Sequence, residues 1–318
     1  MHVTDNRISL QKLEVFCKVV ELGGVQRAAE DLFISQPVVS AHLRSLQERI
    51  GAQLFERDGR GIALTEAGRE VHVWAADVLR GRLQLAASLE NLSSGVAGTV
   101  TIATSMSVGT YLLSPLLIDF RRRHRRAQLT LTISGVEAAL TAVVTSQVDF
   151  CVLATDAMLD SESFEAELLA EPRFSLVTGS ASQLVGESVQ PDALNGMPFV
   201  CAPRGVAIRG SQDAALASIG VTDRRVQIEM GNADTIKQAV AADLGLALLW
   251  RSSVDRELSE GTLREVKIEG HTLRDKLYLV RRRNHRSTAL QDRLLAEIRS
   301  GVTAQLAAFE EPLGNPPV

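Results

Sequence analysis

The sequence has little cysteine and no pattern that ties it to a metal. Its three cysteines, Cys17, Cys151 and Cys201, lie far apart, and none has the C-x-x-C spacing of a zinc or dithiol motif. Each sits in an apolar run, where a thiol acts as a small core group. A redox pair of Cys151 and Cys201 is the alternative to that structural role. No stretch approaches the roughly 20 apolar residues of a membrane helix, and residues 1–6 lack the basic–apolar–small pattern of an export signal. The expectation is a cytoplasmic protein with no membrane partner. G-x-S-x-G, P-loop and H-E-x-x-H motifs are missing, and the histidines, such as His72, His271 and His285, are scattered. No catalytic residue, no metal and no cofactor are expected. Basic excess is missing too: the net charge is −4. That average does not favour nucleic acid, although a local face is what meets phosphate.

What is present is ordinary globular material, 45% hydrophobic and 23% charged over 318 residues. Two or three domains fit that length. Residues 8–64 read as short helices with tight punctuation. Leu13, Phe16, Cys17 and Val20 form one helical stripe that ends at Gly23-Gly24. Val25, Ala28, Ala29 and Leu32 repeat the spacing, and the two alanines allow close helix approach. Ser35 reads as an N-cap with Pro37 near the first helical position. The third helix turns Val39, Leu43, Leu46 and Ile50 inward and ends at Gly51. Leu54-Phe55-Glu56-Arg57 and Ile62-Ala63-Leu64 flank an Asp58-Gly59 turn and predict a hairpin beside that helix.

Thr65 then caps a long helix running to about Ser93. Val71, Ala75, Val78, Leu85, Leu89 and Leu92 follow a coiled-coil seam interrupted by Arg82, and a second copy of the chain is its natural partner. Ser93-Ser94-Gly95 and Gly98 read as a hinge. Beyond it the pattern becomes strand, helix, strand. Strands are expected at 100–103, 129–133, 149–154, 174–177, 199–202, 226–229, 246–249 and 277–280. That alternation predicts open α/β sheets, and about 200 residues fit two small lobes better than one.

Several of these runs resemble the LysR-type transcriptional regulators. The closest are Arg27-Ala28-Ala29, Ser35-Gln36-Pro37-Val38-Val39-Ser40, Leu54-Phe55-Glu56-Arg57 and Leu64-Thr65-Glu66-Ala67-Gly68. Weaker likeness continues through Tyr111-Leu112-Leu113-Ser114-Pro115, Val148-Asp149-Phe150 and the run from Val240 to Leu248. The resemblance implies an α/β fold class with an N-terminal winged helix-turn-helix, a long linker helix and a two-lobed effector domain similar to periplasmic solute-binding proteins. The expected limits are 1–64 for the head, 65–95 for the linker and 96–303 for the effector domain, with a flexible tail at 304–318. Lobe I takes 96–158 and 272–303, and lobe II takes 159–271. The resemblance also implies a homo-oligomer built as a dimer of dimers, with promoter DNA, a small-molecule effector and RNA polymerase as partners.

In a helix-turn-helix the second helix of the motif enters the major groove. With its apolar side inward, Gln36, Ser40 and Arg44 share the outer face. Gln36 suits adenine, Ser40 donates or accepts, Arg44 suits guanine or phosphate, and Pro37 offers apolar contact to a thymine methyl. Ser35 opens that helix, Arg57 and Arg60 flank the wing turn, and Arg27 lies near a helix start. The bland alternative is a solvated surface with the arginines paired to Glu48 or Glu56. Ala41 and Ser45 leave this helix less basic than its relatives, so tight binding is expected to need dimerisation.

Open α/β sheets bind ligands beyond the carboxyl ends of their strands. Thr104, Ser105 and Ser107 stand at the first such edge, where hydroxyls and helix N-terminal amides suit a small organic acid. Cys201 and Arg204 follow a strand of the second lobe, and Asn232 and Asp234 open a helix there. Arg204 would attract an anion, whereas Asp234 would repel one or select an amine. The bland alternative makes Thr104, Ser105 and Asn232 helix caps. Arg121 to Arg126 and Arg281-Arg282-Arg283 read as cations at the ends of secondary structure. Two other functions fit parts of the pattern: a redox-responsive regulator using Cys151 and Cys201, and a solute-binding protein.

Overall fold

A computed structural model describes residues 8–58, 61–94, 98–155, 159, 162–283 and 287–309. The chain forms two compact units, one of Met1–Gly98 with Val144–Gln147 and the other of Thr99–Val143 with Val148–Val318.

The first unit holds α1 (Leu10–Leu22), α2 (Val25–Asp31), α3 (Gln36–Ile50), β1 (Phe55–Asp58), β2 (Gly61–Leu64) and α4 (Glu66–Ser94). Left-handed Gly23 closes α1. The buried face of α1 is Leu13, Val15, Phe16 and Val19, while Cys17 and Val20 are only partly covered. The expected stripe is therefore rotated, because α1 is packed by α2, α3 and α4 together. The Phe16 ring meets Phe55 edge-on at 5.4 Å and His72 at 6.1 Å, tying α1 to the hairpin and to α4. β1 and β2 pair antiparallel with Asp58 opposite Gly61. Gly59 and Arg60 of the expected turn lie outside the described residues.

Thr65 caps α4 as expected: its Oγ1 accepts from Gly68 N at 2.9 Å and donates to the Gln53 carbonyl at 2.7 Å. Gly68 is required there, since a Cβ would stand 2.1 Å from the Leu54 carbonyl oxygen. Val71, Ala75 and Val78 of the expected seam pack into the core of this unit. Ala75 is fully buried there, while Val71 and Val78 are partly covered. Leu85 further along is 61% exposed, and the Leu89 and Leu92 side chains lie outside the described residues.

Lobe I of the second unit begins with β3 (Gly98–Thr104) and α5 (Met106–Val108). A π-type stretch (Gly109–Leu113) leads into α6 (Ser114–Arg123), followed by β4 (Ala127–Ile133), α7 (Val136–Val144), β5 (Phe150–Ala154) and β6 (Phe164–Ala170). Lobe II holds β7 (Phe174–Gly179), β8 (Ser188–Val189), β9 (Pro198–Cys201), α8 (Ala207–Ala217), β10 (Arg225–Glu229), α9 (Ala233–Ala241), β11 (Ala247–Trp250), α10 (Arg251–Ser259) and β12 (Leu263–Ile268). The chain returns to lobe I with β13 (Leu277–Arg282) and α11 (Ala289–Ala307).

The lobe I sheet runs β4-β3-β5-β13-β6, with β3 parallel to β5 and β13 antiparallel to both neighbours. Cys151 and Leu153 of β5 face Ala139 and Val143 of α7. Lobe II has a sheet β11-β7-β12-β8 and a parallel β9-β10 pair, joined by a bridge from Phe199 to Leu246. Gly245 permits that joint, because a Cβ there would stand 2.6 Å from the Pro198 carbonyl oxygen.

Three strands escape the periodic pattern: β6, β8 and β12. β6 is an edge strand carrying Glu165 and Glu167, and β12 interleaves Arg264 and Lys267 with its buried residues. β6 also corrects the lobe limits, since it pairs with β13 and places 164–170 in lobe I. α11 corrects the tail: it is helical to Ala307, and the Phe309 ring lies 5.5 Å from the Arg251 guanidinium. Residues 310–318 lie outside the described residues.

The two crossings between lobes pair with each other. Arg173 bridges Arg274, Phe174 N donates to the Leu273 carbonyl at 2.8 Å, and Asp275 N donates to the Pro172 carbonyl at 2.9 Å.

Candidate functional site

α3 presents two faces. Val39, Leu43 and Leu46 are buried in the core, as the spacing requires. Gln36, Pro37 and Arg44 are exposed and Ser40 is half-buried. Among the described residues the side chains of Gln36, Ser40 and Arg44 have no hydrogen-bond or ion-pair partner, so Arg44 is not spent on Glu48 or Glu56. Ser35 has the extended backbone of an N-cap, but its hydroxyl makes no cap bond. Arg27 donates from Nη2 to the Gly23 carbonyl at 3.1 Å, which satisfies the end of α1. The Arg57 side chain and Arg60 lie outside the described residues.

Phe33 was not singled out by sequence reasoning. It is 94% exposed at φ 55, directly before the entry to α3. A left-handed non-glycine residue costs roughly 1–2 kcal/mol, and the run Leu32-Phe33-Ile34 has no glycine to announce it.

In the second unit Thr104 is fully buried, and its Oγ1 donates to the Val152 carbonyl at 2.7 Å. That bond joins the ends of β3 and β5. Ser105 has N-cap backbone geometry with no side-chain cap bond. Ser105 and Ser107 are both half-buried with hydroxyls that have no partner among the described residues. Cys201 is buried with its Sγ 3.9 Å from Arg224 Nη1, while Arg204 is exposed. Asn232 does cap α9: its Oδ1 accepts from Thr235 N at 2.9 Å.

Asp234 sits in a cluster that spans both lobes. Its Oδ1 accepts from the Tyr111 hydroxyl of lobe I at 2.8 Å and lies 2.9 Å from Lys237 Nζ. Lys237 Nζ is also 2.9 Å from Glu257 Oε1, donates to the Ser253 carbonyl at 2.9 Å and stands 5.3 Å from the Tyr111 ring centre. Lys237 and Tyr111 hold the Asp234 carboxyl below the usual carboxylate range. Burial and the Asp234 contact push the Tyr111 hydroxyl up to about 12. Burial pulls Lys237 down, but Glu257 and Asp234 outweigh it and raise it. Of this cluster only Asp234 was expected. The i, i+3 spacing of Asp234 and Lys237 was the available signal for its partner.

The thiols give no support to redox chemistry. Burial pushes Cys151 up to about 12, and burial raises Cys201 against the pull of Arg224 and Arg209. Burial thus disfavours the thiolate, which is the reactive form. They also belong to different lobes.

A head of this shape can lay α3 along a groove of duplex DNA, and two lobes joined by paired crossings can close on a small molecule. A chain with both parts is a DNA-binding regulator with a ligand-binding domain, not an enzyme. It belongs to the LysR family: residues 10–69 match the bacterial regulatory helix-turn-helix protein, lysR family, and residues 93–302 match the LysR substrate binding domain. It is 30% identical over 280 residues to the RuBisCO operon transcriptional regulator of Allochromatium vinosum, covering 88% of this chain and 91% of that one. Its fold is similar to that of a full-length OxyR variant from Pseudomonas aeruginosa, with TM-score 0.72 at 17% identity over 98% of this chain and 100% of that chain. It is also similar to full-length CbnR complexed with its target DNA, with TM-score 0.62 at 19% identity over 93% and 99% of the two chains. Among the described residues no helix is long and apolar enough to cross a membrane.

Proposed function

We propose that this transcriptional regulator reads promoter DNA through Gln36, Pro37, Ser40 and Arg44. Ser35, Arg27 and the wing arginines Arg57 and Arg60 position the head on phosphates. The unpartnered outer face of α3 carries this reading, because polar groups left free on an otherwise well-bonded helix are available to base edges. The working form is a homo-oligomer, a dimer of dimers, in the cytoplasm. The exposed Leu85 on α4 supports a helix–helix contact between copies.

The effector is a small organic acid that enters between the lobes and meets Ser105 and Ser107 at the start of the helical run from Met106. Arg204 and Asn232 line the opposing lobe, with Cys201 behind them. Thr104 serves to hold the strand end in place. An effector that prefers one state of lobe closure shifts the population of that state, and α4 passes the change to the heads. RNA polymerase is the downstream partner.

Footprinting on DNA upstream of the gene tests the reading. The full chain is expected to protect a pseudo-palindromic site, and Gln36→Ala with Arg44→Ala to lose protection. An unchanged footprint for that double variant would refute the assigned face.

A further inference from the structure

The cluster around Lys237 has the make-up of a carboxylate seat. A tyrosine hydroxyl comes from one lobe and a buried ammonium from the other, and both point at the same oxygen. What fills the seat is the chain's own Asp234. Lys237 has three donors, and all are engaged, by Asp234, Glu257 and the Ser253 carbonyl. Its side chain is only 8% exposed, whereas that of Asp234 is 62% exposed. One ammonium faces two carboxylates, so the local charge is already negative. A free acid therefore meets no vacant donor on Lys237 and a repulsive field. To bind there it must displace a carboxylate held on the same helix, whose effective concentration is on the order of millimolar or more.

Tyr111 reaches the seat from the π-type stretch Gly109–Leu113. Such a stretch adds a residue to a turn and re-aims the side chains on it, and π-bulges recur at functional sites. The hydroxyl it delivers spends its hydrogen on the other lobe rather than within its own helix.

We propose that Asp234 is a built-in ligand: its carboxylate occupies the lobe-bridging seat between Tyr111 and Lys237 and holds the lobes together without an effector. This goes beyond the effector reading and does not depend on which molecule enters beside Ser105. It assigns to Asp234 the opposite of an effector contact. The residue closes this part of the cleft to small carboxylates and sets a threshold that any opening of the lobes must overcome.

Chemical rescue tests this in the full chain. Hydrogen exchange is followed at the paired crossings, where Phe174 N and Asp275 N are bonded. Wild-type exchange is expected to be the same in acetate and in chloride at about 50 mM, since both screen alike. Asp234→Ala is expected to exchange faster by about fivefold or more, the low end of a typical coupling between sites. Acetate, but not chloride, is expected to return it toward the wild-type rate, and Tyr111→Phe added to Asp234→Ala to abolish that rescue. Wild-type rates at the crossings in Asp234→Ala would overturn the latch. Faster exchange that acetate and chloride leave equally unchanged would overturn the seat. Calorimetry of effector binding is a separate measurement, so failure of the latch leaves the effector reading standing and the reverse also holds.

Discussion

Trp250 Nε1 donates to Asp275 Oδ2 at 3.1 Å, and both side chains are buried. Trp250 ends β11 in lobe II, and Asp275 lies on the return crossing toward lobe I. The bond thus anchors the crossing to the lobe it leaves. Replacing Asp275 by Ala strands a buried indole N–H, which costs roughly 1–3 kcal/mol. Urea unfolding followed by circular dichroism measures that loss. Adding Trp250→Phe to Asp275→Ala is expected to cost less than the sum of the single changes, because paired groups couple. Strict additivity would show that the bond contributes nothing.

Gly68 and Gly81 lie on the same helix and predict opposite outcomes. A methyl at Gly68 collides with the Leu54 carbonyl at 2.1 Å and approaches the Leu64 side chain at 3.0 Å. Gly68→Ala is expected to destabilise the head by roughly 1–3 kcal/mol, the usual range for overpacking. Gly81 has nothing within 4 Å of such a methyl and is exposed. Gly81→Ala is expected to stabilise α4 by up to about 1 kcal/mol through helix propensity. Thermal unfolding by circular dichroism distinguishes the two, and a matching sign for both changes would contradict the close approach at Leu54.

These contrasts show what the sequence could carry. Helix ends were legible at Gly23, Gly51 and Thr65, because a left-handed turn or a capping hydroxyl demands a particular residue type. The apolar strands β3, β5, β7, β9 and β11 were legible because burial on both faces leaves a continuous run. β6 and β12 were not, since charged residues interrupt their apolar pattern. The apolar seam in α4 was legible too, and Ala75 in its first half is covered by the core of its own unit. Periodicity reports that a face is covered, not whether α1 or another chain covers it. At the ligand end, Thr104 and Ser105 are alike in sequence, and only the Val152 carbonyl distinguishes them. Tyr111 and Lys237 stayed invisible because their relation spans 126 residues of chain, a gap that only the folded lobes close.

His72 predicts a pH dependence of the head. Its imidazole is buried against Phe16, and burial lowers its pKa from the ordinary 6.5. Between the folded and unfolded values the unfolded chain binds more protons, so stability is full above 6.5 and falls as pH drops toward the lower folded value. Hydrogen exchange in α1, corrected for the intrinsic rate, is expected to be faster at mildly acidic pH than at neutral pH. His72→Phe is expected to flatten that dependence. An α1 equally protected at both pH values in the wild type would remove His72 from the account.

Thr104 and Ser105 are adjacent, yet their hydroxyls face different tasks, and paired substitutions separate them. Thr104→Val leaves the Val152 carbonyl without its partner in a fully buried position. It is expected to cost about 1 kcal/mol of stability and to leave ligand affinity nearly unchanged. Ser105→Ala removes a hydroxyl with no internal partner, so stability should hold. If an acid binds there, affinity should fall by about tenfold, equivalent to one neutral hydrogen bond. Calorimetry of the full chain against small mono- and dicarboxylates, with unfolding curves for both variants, reads the two effects separately. Loss of affinity in Thr104→Val with Ser105→Ala unaffected would reverse the assignment and place the ligand against β5 rather than at the start of the helix.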